Sequence, residues 1–207
     1  MSNGVWMDSS LMGAPHTHYE VPDLTEGFFT DAARIIARYP LKRSALLPLL
    51  YLIQSEHGFV SSQGMRAVAD LLGLTRAEVG AVATFYTMFK RDPQGAWLVS
   101  VCTQPSCTLA GGDAIKKGLE ASLGITCGQT TEDGSVSLEE VECLCACDGA
   151  PVVSVNYENY QRMNAEQIVE MVEALRAGGA PPTSGQGSVP LDFKAVNRRM
   201  SGLEQLS

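Results

Sequence analysis

Basic residues are scarce in this chain: 15 Lys and Arg stand against 23 Asp and Glu, a formal net charge of −8, and the first basic residue is Arg34. No Lys/Arg cluster follows it, which argues against nucleic acid and against an anionic membrane surface, since both need a basic face. Another protein is the expected partner. Long apolar runs are missing too. The longest uncharged apolar stretch, SALLPLLYLI at 44–53, falls well short of the ~20 residues a membrane span requires, so no direct membrane insertion is expected. The opening residues show neither a basic start with an apolar region nor an Arg-rich presequence pattern. A reducing cytoplasm is therefore the expected compartment, where clustered thiols bind metal more often than they form disulfides. Two motifs are absent as well. Without C-x-x-C a thiol oxidoreductase is disfavoured, and without G-x-G-x-x-G after a strand the chain has no dinucleotide site of its own.

What is present reads first as helix. Residues 1–22, with Pro15, Pro22 and no sustained period, predict an extended N-terminal arm. A helical domain is expected over 23–92. Its first helix spans 26–38, with Phe28, Phe29, Ala32, Ile35 and Ile36 on one face. A second spans 44–56, where Pro48 is tolerable near the first turn and Gly58 is the stop. A third runs from Ser61 or Ser62 to Gly73, and a fourth opens at Thr75, which with Glu78 forms a capping box. The last two resemble a helix-turn-helix, but without a basic face ordinary packing is the better reading. ATFYTMF at 83–89 is expected to fill the core beside the next domain.

From 93 to 178 the pattern changes to strands at 97–102, 135–141 and 151–156, a helix at 109–123, and a last helix at 165–176 capped by Asn164 and Gln167. The order β-α-β-β-α suggests a small thioredoxin-like α/β domain. The predicted class is α+β: an N-terminal helical bundle followed by a thioredoxin-like domain holding a 2Fe-2S cluster. Residues 179–207, opening on AGGAPPTSGQGSVP, are expected as an extended or disordered tail.

The cluster expectation comes from six cysteines. Cys102 and Cys107 form C-x4-C at the end of the first strand, and Cys143 and Cys147 form C-x3-C between two later strands, 35 residues on. Both spacings are wider than the C-x2-C turn of most zinc sites and suit a bulkier centre. A 2Fe-2S cluster takes four thiolates, with a formal charge of about −2 oxidised and about −3 reduced, so backbone N–H groups must face its sulfurs. The loops TQPS and LCA, with Gly149 behind, are small enough to supply them. Zinc and unrelated buried thiols remain the alternatives. Cys127 has no partner at ligand spacing and reads as structural. His57, beside Gly58, reads as a favourable helix C-terminal residue.

RYPLKRSALLPLLYLIQSEHGFVS, EVGAVATFYTMF, VCTQPSCTLAGG and ECLCACDGAPVVSVN, in that order over residues 25–176, resemble the family of the 24 kDa iron-sulfur subunit of NADH:quinone oxidoreductase, respiratory complex I. The resemblance implies one 2Fe-2S cluster on Cys102, Cys107, Cys143 and Cys147. It also implies a flavoprotein partner subunit that binds FMN and NADH, with other peripheral-arm iron-sulfur subunits beyond it, on the cytoplasmic side of the inner membrane. The related subunits of NAD-coupled hydrogenases and formate dehydrogenases resemble it closely. One departure stands out: where the family usually has glycine in C-L-G-A-C, this chain has Cys145. If the loop needs positive φ there, a side chain costs about 1 kcal/mol. Cys147 is the expected ligand because C-x3-C wraps the cluster without straining a one-residue loop, and a C-x-C pair of Cys143 with Cys145 is the alternative. Glu142 and Asp148 flank the ligands and either depress the potential or sit in solvent as turn residues.

Overall fold

The computed structural model describes residues 19–203. Of the expected arm, residues 1–18 lie outside that range and 19–22 run without regular structure. Thr25 then caps α1 (Glu26–Ile36), its hydroxyl accepting from the Phe28 N–H at 3.2 Å. A 3-10 turn at Lys42–Ala45 leads into α2 (Leu46–His57), which keeps Pro48 in its first turn and ends on Gly58 at φ 77°. Eight residues of α2 are buried, Leu49, Leu50, Leu52 and Ile53 completely, because neighbours cover it on nearly every side. Those neighbours include α1, α3 (Ser62–Leu72) and α4 (Arg76–Phe85), the last entered through a complete Thr75–Glu78 capping box. The stretch 83–89 does not fill the core as a block. Ala83 and Phe89 are buried, whereas Phe85 is 76% exposed and Tyr86 and Met88 also face outward, because the helix ends at Phe85 and the chain leaves along the surface.

The second half is a five-stranded sheet in the order β2-β3-β1-β4-β5. Its strands are β1 (Trp97–Cys102), β2 (Gln129–Thr130), β3 (Val136–Val141), β4 (Val152–Val155) and β5 (Glu158–Gln161). β1 runs parallel to β3 and antiparallel to β4. One face of the sheet, with Val99, Val101, Leu138, Val153 and Val155, is covered by α6 (Gly112–Leu123) and α7 (Ala165–Arg176) through Ile115, Leu119, Ile168 and Val172. β2 and β5 are too short to show a period of two. The expected helix over 109–123 is two helices, α5 (Pro105–Leu109) and α6, because Gly111 turns the chain at φ 107° between them.

The tail is neither extended nor disordered over its described length. Residues 193–200 form α8 (Phe193–Met200), capped by Asp192 and packed on α2, and Leu203 enters the bundle core. Gln54 of α2, completely buried, donates to the Asn197 Oδ1 at 2.7 Å and to the Met88 carbonyl at 3.0 Å, and accepts from the Lys90 N–H at 2.7 Å. The Asn156 side chain bonds Leu98 N–H and the Ala96 and Leu191 carbonyls, so the β4–β5 turn holds the same tail to the sheet.

Candidate iron-sulfur site

Parallel pairing of β1 with β3 sets Cys102 opposite Val141, so both strands end on the same edge of the domain. The loops that continue from them carry all the candidate ligands. Cys102 closes β1, and Cys107 lies in α5, whose Pro105 occupies the first turn; both are buried. Cys143 lies in the loop after β3, and Cys147 opens a 3-10 turn at Cys147–Gly149; both are exposed, as is Cys145 between them. The Ala150–Pro151 peptide that follows is cis.

The sulfurs sense one another and the backbone. Burial pushes the Cys102 thiol up, but the N–H groups of Gln104 and Leu144 and the thiols of Cys107 and Cys143 outweigh it, so the net shift is downward. Burial also raises Cys107, reinforced by the Cys102 thiol and opposed by the Val152 N–H, with the Cys147 charge in reach. The Cys102 thiol points to the Glu142 carbonyl at 3.9 Å. Backbone donors thus face the sulfurs, as an anionic sulfur-rich centre requires. They come from Gln104, Leu144, Cys145 and Val152; the Gly149 N–H, expected among them, bonds the Ala146 carbonyl at 2.9 Å instead.

Three details hold this geometry, and two of them have no signature in the sequence. A Cβ placed at Gly112 falls 2.9 Å from the carbonyl oxygens of both Cys102 and Cys107, so only glycine lets α6 begin against the first cysteine loop. Arg162, at φ 57°, donates its backbone N–H to the Gly149 and Pro151 carbonyls at 3.0 and 3.1 Å and its guanidinium to the Asp148 carbonyl at 2.9 Å, fastening the second loop. Neither residue belongs to a motif; AGGD reads only as a poor nucleotide loop, and Arg162 merely follows a strand. The third is Cys145, which sits at φ 54° and donates its N–H to Cys143 Sγ at 3.2 Å. That left-handed conformation is the one in which glycine is unstrained and a side chain is not.

Cys127 lies apart, half-buried beside Glu120, its thiol pushed up to about 11 by burial and by that carboxylate. Glu142 and Asp148 are exposed. His57 hydrogen-bonds Ser61 Oγ at 2.8 Å, and burial lowers its pKa. Among the described residues no three His, Cys, Asp or Glu side chains take the arrangement that ligates a single metal ion. The donor set is thiol throughout, divided between two loops and lined by N–H groups, and it fits a cluster held from two sides.

Two cysteine-bearing loops on one edge of a thioredoxin-like sheet define a class, that of small 2Fe-2S electron carriers. The family described as Thioredoxin-like [2Fe-2S] ferredoxin matches residues 32–176, and this chain belongs to it, in the branch formed by the 24 kDa iron-sulfur subunits of NADH-quinone oxidoreductase. One such relative, from the NADH-quinone oxidoreductase of Mycobacterium tuberculosis, is 46% identical over 191 residues, covering 92% of this chain and 75% of its own. NADH-quinone oxidoreductase subunit 2 of Thermus thermophilus is 37% identical over 159 residues, covering 73% and 88%. Among solved structures, an NAD+-reducing [NiFe]-hydrogenase in the air-oxidised state superposes with a TM-score of 0.58 at 25% identity, over 64% of this chain and 23% of that one.

Proposed function

We propose that this chain holds a 2Fe-2S cluster on Cys102, Cys107, Cys143 and Cys147 and serves as an electron-transfer subunit of NADH:quinone oxidoreductase. In that role it exchanges single electrons with the FMN of a partner flavoprotein that also binds NADH. The observation that carries this reading is the convergence of the C-x4-C and C-x3-C loops at the common end of β1 and β3, with backbone N–H groups turned toward the sulfurs. When bound, such a cluster accepts one electron at a time, which complements a flavin able to release singly the two electrons of a hydride. The protein's own contribution is positioning and electrostatics. Gln104, Leu144 and Val152 N–H groups offset negative charge on buried sulfur, and Arg162 holds the exposed loop in place. Glu142 and Asp148, being exposed, are well screened, and Asp148→Asn is expected to leave the cluster's midpoint potential nearly unchanged in an anaerobic redox titration.

No helix among the described residues is long and apolar enough to cross a membrane. Attachment on the cytoplasmic side of the membrane would therefore come through partner subunits. Purification with native partners tests the assignment. A reddish-brown preparation with near-equal iron and acid-labile sulfide, a reduced-cluster spin resonance signal, and recovery with a flavoprotein and membrane subunits are expected; colourless protein with stoichiometric zinc would overturn it. The structural likeness to an NAD+-reducing hydrogenase favours one second reading, the equivalent component of such an enzyme, and recovery with hydrogenase subunits would select it.

A further inference from the structure

Cys145 is the one thiol of the second loop that the proposed ligand set leaves unused. Its neighbours Leu144 and Ala146 pack against the buried Cys102 and Cys107, whereas Cys145 itself is exposed and holds a backbone conformation that favours glycine. A strained position with an outward thiol gains nothing from packing. What the conformation achieves is proximity: the Cys145 N–H reaches Cys143 Sγ at 3.2 Å, and the two sulfurs lie 3.9 Å apart. They need approach by only about 2 Å to bond, within the range of side-chain rotation on an exposed loop.

The geometry points to Cys143 and Cys145 as an oxidisable pair that closes into a disulfide when the loop carries no cluster. Hydrogen peroxide is the oxidant. The Cys145 sulfur attacks one peroxide oxygen; the O–O bond breaks, leaving a sulfenic acid on Cys145 and, once protonated, a water. The Cys143 sulfur then attacks the Cys145 sulfur. An S–S bond forms, the S–O bond breaks, and the departing hydroxide takes the Cys143 proton as a second water. Two thiols have lost two electrons to one peroxide, and a dithiol reductant reverses the step by exchange. Cys102 and Cys107 are shielded from the same attack by burial. Because Cys143 is a ligand in the function proposed above, on which this consequence alone rests, closure withdraws one of four sulfurs and stops cluster loading until the disulfide is reduced.

The test uses the full chain freed of cluster by chelation, with and without peroxide. Alkylation and peptide mapping without reduction read the thiols, and absorbance after incubation with iron and sulfide reads cluster uptake. Peroxide is expected to remove two alkylatable thiols from the loop, joined as Cys143 to Cys145, and to abolish cluster uptake, with dithiothreitol restoring both. In a Cys147→Ser background the same link is expected, since the loop then holds only that pair. Cys145→Ser is expected to keep its loop thiols and load a cluster after the same treatment. Cys145→Gly, which suits the backbone, should do likewise and guards against a folding defect in the serine variant. A Cys143–Cys147 or Cys102–Cys107 bond in place of the expected one, or a Cys145 still alkylatable after peroxide, overturns the inference. If the untreated chain fails to take up a cluster, the ligand assignment falls, and the disulfide map still decides this question separately.

Discussion

The two cysteine loops solve one problem in opposite ways. The first is built from regular elements: Cys102 ends a central strand, Cys107 sits in a helix, both are buried, and α6 abuts them at Gly112. The second is an exposed segment with one residue at positive φ, a single 3-10 turn, and Arg162 reaching across to hold it. Half of the ligand set is thus part of the folding core, and the other half is a flap laid over it. Stability and cluster binding should therefore be coupled at the first loop and separable at the second.

The largest effect is expected at Cys102. Cys102→Ala should abolish the cluster and also lower the stability of the cluster-free chain by about 2 kcal/mol, because the Gln104 and Leu144 N–H groups lose a buried acceptor. Cys147→Ala should abolish the cluster equally while shifting cluster-free stability by less than about 0.5 kcal/mol, since it removes an exposed thiol. Denaturant melts of both variants decide; equal losses would break the contrast. Next is Gly112→Ala, where a Cβ against two carbonyl oxygens should cost about 1–3 kcal/mol by chemical denaturation. Arg162→Ala should cost about 1 kcal/mol and speed loss of iron to a chelator, because the second loop loses its guanidinium contact with the Asp148 carbonyl. Smaller still, Cys145→Gly should raise cluster-free stability by about 0.5 kcal/mol by removing a side chain at φ 54°. Cys127 should show the least. Its folded-state pKa of about 11 lies above the ordinary thiol value of 9.0, so it keeps its proton and alkylates slowly through pH 9, whereas the unfolded chain reacts readily there. Equal rates at pH 9 would contradict that.

The sequence made legible what depends on local chemistry. Thr75 with Glu78 and Asn164 with Gln167 each form the capping box their spacing predicts, because such boxes close within four residues. The C-x4-C and C-x3-C pairs were legible as a pattern, and the parallel register of β1 and β3 explains why a gap of 35 residues does not separate them in space. Features held by distant partners were not legible. α8, with two arginines, a lysine and an asparagine in eight residues, shows no apolar stripe; Phe193 and Asn197 anchor it from one turn, and Asn197 finds its partner 143 residues away on Gln54. Gly112 and Arg162 likewise answer to backbone atoms of other segments. Phe85 and Tyr86 misled in the other direction, as apolar residues read as core that the helix end leaves in solvent.

The return of the tail to the first bundle reverses the order in which the two halves can be completed. Every cysteine leaves the ribosome before Phe193, Asn197 and Leu203, so during synthesis the ferredoxin sheet has all its strands while α2 still lacks its covering helix and the buried Gln54 its side-chain partner. The region translated first is finished last, and the closing contact of the nascent chain is one of its longest in sequence.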